Sequence, residues 1–178
     1  EFPALVLNES DQSDAYYLTA TLSDKETLEA KSFALQQNIL TLRNRIFVSP
    51  MCQYSAVDGL VNDWHLVHLG SRAVGGAGLV MCEAAGVCPE GRISPHDAGI
   101  WTSQHAEAWA RITRFIREQG AVPAMQLAHA GRKASTHSPW RGAGAVPADQ
   151  GGWQVLGPSA VPFNEKYPQP REMSRADL

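Results

Sequence analysis

A proline, a thioether, a thiol, an amide and a phenol follow one another in Ser49-Pro50-Met51-Cys52-Gln53-Tyr54-Ser55, directly after the apolar run Ile46-Phe47-Val48. A strand that only has to turn ends in Gly, Asn or Asp, so these residue types raise the question of chemistry. A free thiol just past a strand end can serve as a nucleophile, a redox sensor or a cofactor contact, or it can simply pack a loop. Two further apolar runs end in polar groups. Glu83 lies at the end of Leu79-Val80-Met81-Cys82, and Gln126 and His129 lie at the end of the run over 122–128. The amide of Gln126 offers both a donor and an acceptor, which suits the edge of a cyclic imide.

The elements that position these groups are legible in the hydrophobic pattern. Residues 45–49, 79–84 and 122–128 read as strands, and Pro123 stands near a strand start, where a missing N–H is tolerated. Residues 64–74 and 103–120 carry apolar groups at helical spacing; Ser103 is the expected cap of the second helix and Gly120 its stop. Near-continuous apolar strands separated by amphipathic helices imply a parallel sheet covered by helices. Doubly wound sheets and (β/α)8 barrels both begin this way, and both gather functional groups at the carboxyl ends of their strands. From 134 to 178 the chain turns to Gly, Pro and Trp without a clear period, and a loop of that length is usually functional. Residues 1–32 are weakly patterned and are expected to form a mobile extension, with one short helix over 24–32 signalled by Ser23 and Glu26.

The bulk numbers exclude several classes. At 178 residues the chain has the length of one domain, and 44% hydrophobic with 19% charged residues is ordinary globular composition. A net charge of -3 argues against a general binder of nucleic acid or anionic membranes. No apolar stretch approaches the roughly 18 residues of a membrane span. The amino terminus has neither the basic region nor the cleavage site of a signal peptide, and its Glu1-Phe2 is what a common cloning site encodes. Three cysteines, an odd number, favour a reducing compartment over a disulfide framework, with the cytoplasm as the default.

Some motifs mislead. The glycines of Val74-Gly75-Gly76-Ala77-Gly78 follow a helix and precede a strand, the reverse of a dinucleotide fingerprint, so they read as a helix-terminating turn. Cys52, His65 and His68, or Cys82 with Cys88, suggest a metal, yet no Cys-x-x-Cys accompanies the histidines and no metal site is assigned. Cys82 lies within an apolar strand and reads as a small buried hydrophobe.

Taken together, "TLRNRI", "SPMCQYS", "GGAGLVMCEA", "PEGRIS", "GIW" and "QLAHAGRKA" resemble, in order and spacing, the old yellow enzyme (NADH:flavin oxidoreductase) family. Within it they look most like the thermophilic-type or xenobiotic-reductase branch. The resemblance runs from about Leu40 through "PSAVPF" and "REMSRADL". It implies that residues 33–178 are the N-terminal part, about three βα units, of a (β/α)8 barrel that holds FMN at its C-terminal face. By the same resemblance Ser49, Pro50, Met51 and Cys52 would line the flavin, with Cys52 near its N5/O4 edge and able to tune its potential. Ala84 would offer its backbone, Gln126 would pair with the pyrimidine, and Tyr54 would orient the substrate carbonyl. The implied reaction is ping-pong: NAD(P)H reduces FMN, which passes hydride to a small activated alkene such as an enone. A homo-oligomer is compatible with the complete barrel.

His65 and His68 have the spacing of the family's carbonyl-binding pair but lie on the first helix, so they are not that pair. That pair, an Arg beside the flavin and the phosphate loops are expected beyond Leu178, leaving open outer strands here. The alternative reading is a truncated, non-catalytic half-barrel that serves as an interaction module, and a metal-dependent hydrolase ranks behind both.

Overall fold

The apolar runs become strands and the amphipathic runs become helices, in the order the pattern implies. The computed structural model describes residues 7–8, 17–18, 40 and 42–177. Its main elements are β1 (Leu7–Asn8), β2 (Tyr17–Leu18), β3 (Phe47–Val48), α1 (Asp63–Val74), β4 (Leu79–Gly86), α2 (Ser103–Glu118), β5 (Val122–Ala128), β6 (Leu156–Gly157) and β7 (Arg171–Glu172). The helix expected over 24–32 and the mobility of the first 32 residues lie outside the described residues, apart from β1 and β2.

Strands β3, β4 and β5 pair in parallel, with Phe47 opposite Leu79 and Leu79 opposite Val122. Parallel neighbours joined through helices put all three carboxyl ends on one edge, which is the geometry the site requires. β3 is shorter than the expected 45–49. Its first residues are drawn into a turn, where the Asn44 side chain accepts from the Ile46 N–H at 3.0 Å and donates to the Gly76 carbonyl at 2.7 Å. β4 is longer, reaching Gly86. The outer side of β5 is not bare: β2 lies parallel to it through Tyr17 opposite Met125, and β1 pairs antiparallel with β2. An edge expected to be open therefore has a short neighbour from the amino-terminal segment, which satisfies part of the backbone there.

Helix α1 begins at a capping box. Asn62 accepts from the Trp64 N–H at 3.0 Å, and the Asn62 N–H donates to His65 Nδ1 at 3.1 Å. Its end is the expected glycine turn, with Gly75 as cap and Gly76 at φ +98°. For α2 the cap is Thr102 rather than Ser103, its hydroxyl accepting from the His105 N–H at 3.4 Å. Two adjacent hydroxyl residues give the sequence no way to choose, and the backbone turns helical only at the second. Gly120 stops the helix as expected, at φ +76°.

Leu69 and Ala73 of α1, Val80 and Cys82 of β4, Trp109, Ile112 and Ile116 of α2, and Met125 of β5 form one buried cluster. Cys82 is fully buried within it, as its place in an apolar strand implied. Beneath the sheet, at the amino ends of the strands, Arg43 reaches the chain ends of both helices. Its guanidinium donates to the carbonyls of Ala73 (2.8 Å), Ala77 (2.7 and 3.0 Å) and Gln119 (2.7 Å). Ala73 and Gln119 stand at the carboxyl ends of α1 and α2 and Ala77 in the turn that follows α1, where a cation is favoured by the helix dipole. The long Gly/Pro/Trp segment is mostly irregular, as expected, and contains the small parallel pair of β6 and β7.

Candidate active site

Residues 49–55 leave β3 and cross the carboxyl edge of the sheet, and several bonds fix their path. The Gln53 N–H donates to Glu83 Oε2 at 3.0 Å, and the Gln53 side chain donates to the Met51 carbonyl at 2.8 Å while accepting from Trp64 Nε1 at 3.1 Å. The Ser55 hydroxyl donates to the Gln53 carbonyl at 2.9 Å, and Asn62 donates to the Ser55 carbonyl at 2.7 Å. Between these anchors Tyr54 has φ +49°, a left-handed conformation that is costly for a bulky residue. Such strain persists only where the surroundings determine it, and here both neighbours are tied down. The Tyr54 ring meets Trp140 edge-on, centroids 5.4 Å apart at 85°. The long loop therefore folds back over the phenol.

Across β4 and β5 the register changes once. Cys82 is opposite Met125 but Ala84 is opposite Gln126, so Glu83 is an extra residue in a bulge. The bulge puts Ala84 beside Gln126. It also leaves Glu83 free to turn its carboxyl toward the Gln53 N–H and toward α1, where Oε1 lies 3.4 Å from His65 Nε2. Gln126 is exposed at this edge, with no partner for its amide among the described residues. An unengaged amide beside a half-buried backbone position is the arrangement an imide edge would use.

Burial dominates the electrostatics. The Cys52 thiol is pushed up to about 11 by burial and then by the nearby Asp97 and Glu83 carboxyls, with the Ala84 backbone working the other way. Cys52 is therefore a neutral thiol at ordinary pH, which argues against the nucleophile reading. Tyr54 is raised by burial and by Cys52 beside it. Glu83 is raised to about 7 by burial and then by Asp97, against the lowering pull of the Gln53 N–H. His65 is lowered to about 4 by burial. A true ion pair would move His65 and Glu83 in the opposite directions, so desolvation outweighs their mutual attraction and His65 is neutral. Asp97, buried and bonded to Ser94 Oγ and the Ile93 N–H at 2.7 Å each, is likewise raised by burial.

The expected site residues thus divide. Cys52, Tyr54 and Ala84 are brought together at the mouths of β3 and β4, and Gln126 joins them in register from β5. Ser49 and Met51 are exposed on the rim and Pro50 is half-buried. His129 turns aside, accepting from the Gly131 N–H at 3.1 Å. His65 and His68 lie on α1, as read. Among the described residues no group of three or more His, Cys, Asp or Glu could hold a metal. The sequence reading missed Trp140, Asp97 and the link from His65 to Glu83. Trp140 sits in a segment without periodicity, so nothing local signalled its return to Tyr54.

The sheet with its polar carboxyl edge is the N-terminal part of a (β/α)8 barrel. It superposes on the old yellow enzyme homologue of Zymomonas mobilis with a TM-score of 0.62 at 27% identity, covering 78% of this chain and 38% of that one. Residues 34–178 match the model of the NADH:flavin oxidoreductase / NADH oxidase family, and the chain belongs to that family. It is 45% identical over 141 residues to an NADPH dehydrogenase of Geobacillus thermodenitrificans, covering 78% of this chain and 37% of the relative. A second NADPH dehydrogenase, from Bacillus cytotoxicus, is 45% identical over 144 residues, covering 80% and 37%. The chain therefore spans little more than a third of the length of these curated relatives.

Proposed function

We propose that residues 33–178 supply the first wall of an FMN site in an oxidoreductase that takes reducing equivalents from NAD(P)H and delivers hydride to an activated alkene such as an enone. The observation that carries this reading is the bulge at Glu83, which sets Ala84 in register with the unengaged amide of Gln126 beside the Cys52 thiol. The names of the relatives, NADPH dehydrogenases, support the choice of reductant. FMN would supply the hydride chemistry and the protein its orientation and electrostatics. Gln126 would pair with the pyrimidine edge, Ala84 would present its backbone, and Ser49, Pro50 and Met51 would pack the ring. Tyr54, held by its strained backbone and by Trp140, would donate its phenol proton in a hydrogen bond to the substrate carbonyl. A neutral Cys52 would tune the flavin without forming a bond to it. The cytoplasmic reading rests on the three free cysteines, and no helix among the described residues is long and apolar enough to cross a membrane.

Two substitutions separate these roles in a complete barrel carrying this segment. Cys52→Ala is expected to keep FMN bound and shift its reduction potential, measured by dye-coupled photoreduction; an unchanged potential with both half-reaction rates unchanged would reduce the thiol to packing. Tyr54→Phe is expected to slow alkene reduction by about tenfold, the worth of one hydrogen bond, while flavin reduction by NADPH keeps its rate. Stopped-flow measurement of the two half-reactions decides it.

The half-barrel module remains the second reading. Phe47 and Leu127, which are 55% and 38% exposed on the sheet, favour it. Residues 1–178 by themselves are expected not to turn over, because on this reading the rest of the flavin site would come from outside them. Stoichiometric flavin with multiple turnovers by this segment would contradict that. A colourless, folded full-length protein that binds no FMN would overturn the flavin reading and leave the module.

A further inference from the structure

Glu83 is 2% exposed and His65 is fully buried, yet neither finds a conventional partner in the other. His65 Nδ1 accepts from the Asn62 N–H, so in the neutral ring the proton is on Nε2. That atom faces Glu83 Oε1 at 3.4 Å without hydrogen-bond alignment, and it has no other hydrogen-bond partner. A buried donor left in this state is costly unless it answers a charge. The other carboxylate oxygen, Oε2, accepts the Gln53 N–H, the bond that fixes one flank of the strained Tyr54. Glu83 itself is present only because β4 carries one residue more than β5 at this point. A bulge that inserts an acid into an apolar strand and aims it at two neighbouring elements is a placed feature.

We propose that Glu83 is a positioning residue: its carboxylate, backed by His65, anchors residues 51–55 to β4, and its charge is felt at the Cys52 thiol. The anchoring stands on this chain's own geometry; only its consequence for FMN rests on the flavin reading. Glu83 is bonded by Gln53 from the loop and approached by His65 from α1, and it interacts electrostatically with Cys52, the residue before Gln53, with Cys82 of its own strand and with Asp97 of the connection between β4 and α2. With Glu83 raised to about 7 by burial, its carboxyl is neutral well below neutrality and charged above it. As the pH rises through that window the new negative charge opposes ionisation of Cys52, so the thiol becomes harder to deprotonate as Glu83 ionises. Cys88, which faces Glu90 and not Glu83, supplies an internal reference in the same molecule.

The test is iodoacetamide alkylation of the full-length chain from pH 5.5 to 9, with bound FMN and after its removal, each cysteine followed by peptide mass mapping. In the unsubstituted protein the logarithm of the Cys88 rate is expected to climb about one unit per pH unit, as thiolate accumulates. The Cys52 line should be flatter between about pH 6 and 8 and regain its slope above. Glu83→Gln keeps an acceptor for the Gln53 N–H and removes the charge. It should straighten the Cys52 line and raise its rate at pH 8 about three- to tenfold. Glu83→Ala removes the acceptor as well and should raise Cys52 labelling beyond the Gln variant, while continued protection of buried Cys82 reports that the core is intact. Parallel Cys52 and Cys88 lines in the unsubstituted protein would overturn the proposal without any variant. So would flattening that persists in Glu83→Gln, which would assign the charge to Asp97. A chain that takes up no FMN would sink the flavin reading alone, since the flavin-free arm still decides the role of Glu83.

Discussion

Gln126→Leu is expected to strip the flavin from a complete barrel while leaving the barrel folded. The side chain is exposed at the end of β5 and its amide holds nothing else among the described residues, so its loss removes no internal bond. If the amide gives the pyrimidine edge one or two hydrogen bonds, each worth about 1–1.5 kcal/mol, retention should weaken by roughly ten- to a hundredfold. The ratio of flavin to protein absorbance after gel filtration measures this, with circular dichroism as the control for folding. Equal flavin loss from Tyr54→Phe would contradict the division of labour between amide and phenol.

Trp109→Ala should instead unfold the scaffold, at a cost of about 3–5 kcal/mol in urea denaturation. Trp109 is 2% exposed and its indole donates to the Gly99 carbonyl at 3.0 Å, so truncation leaves both a cavity and a buried carbonyl without its donor. Trp140→Ala is the paired measurement. That residue is 63% exposed, and removing it should change stability by less than about 1 kcal/mol while freeing the Tyr54 ring. Comparable destabilisation by the two changes would mean that the loop carrying Trp140 belongs to the core.

What the sequence revealed and what it hid follow from the range of the interactions. The strands read over 79–84 and 122–128 and both helices were legible because burial imposes a period on consecutive residues, although β4 runs on to Gly86. Cys52, Tyr54 and Gln126 stood out as candidates because polar types at strand ends break that period. β3 was read too long because the pull of Asn44 on Ile46 is a side-chain bond that hydropathy does not register. The register shift at Glu83 was invisible for a different reason. A bulge is a relation between two strands, and neither β4 nor β5 alone carries its mark. The return of Trp140 to Tyr54 is hidden likewise, since a loop of Gly and Pro fixes no direction.

Arg43 gives this architecture an engineering consequence. One side chain ties the last turns of α1 and α2 to the chain entering β3, at the end of the sheet opposite Cys52, Tyr54 and Gln126. Fastening at one end and the proposed chemistry at the other fall to separate residues, so changes at one need not be repaired at the other. A library that varies positions 49–55 and the loop around Trp140 while holding Arg43 fixed should keep a high fraction of folded members. The same number of changes made with Arg43 released should not.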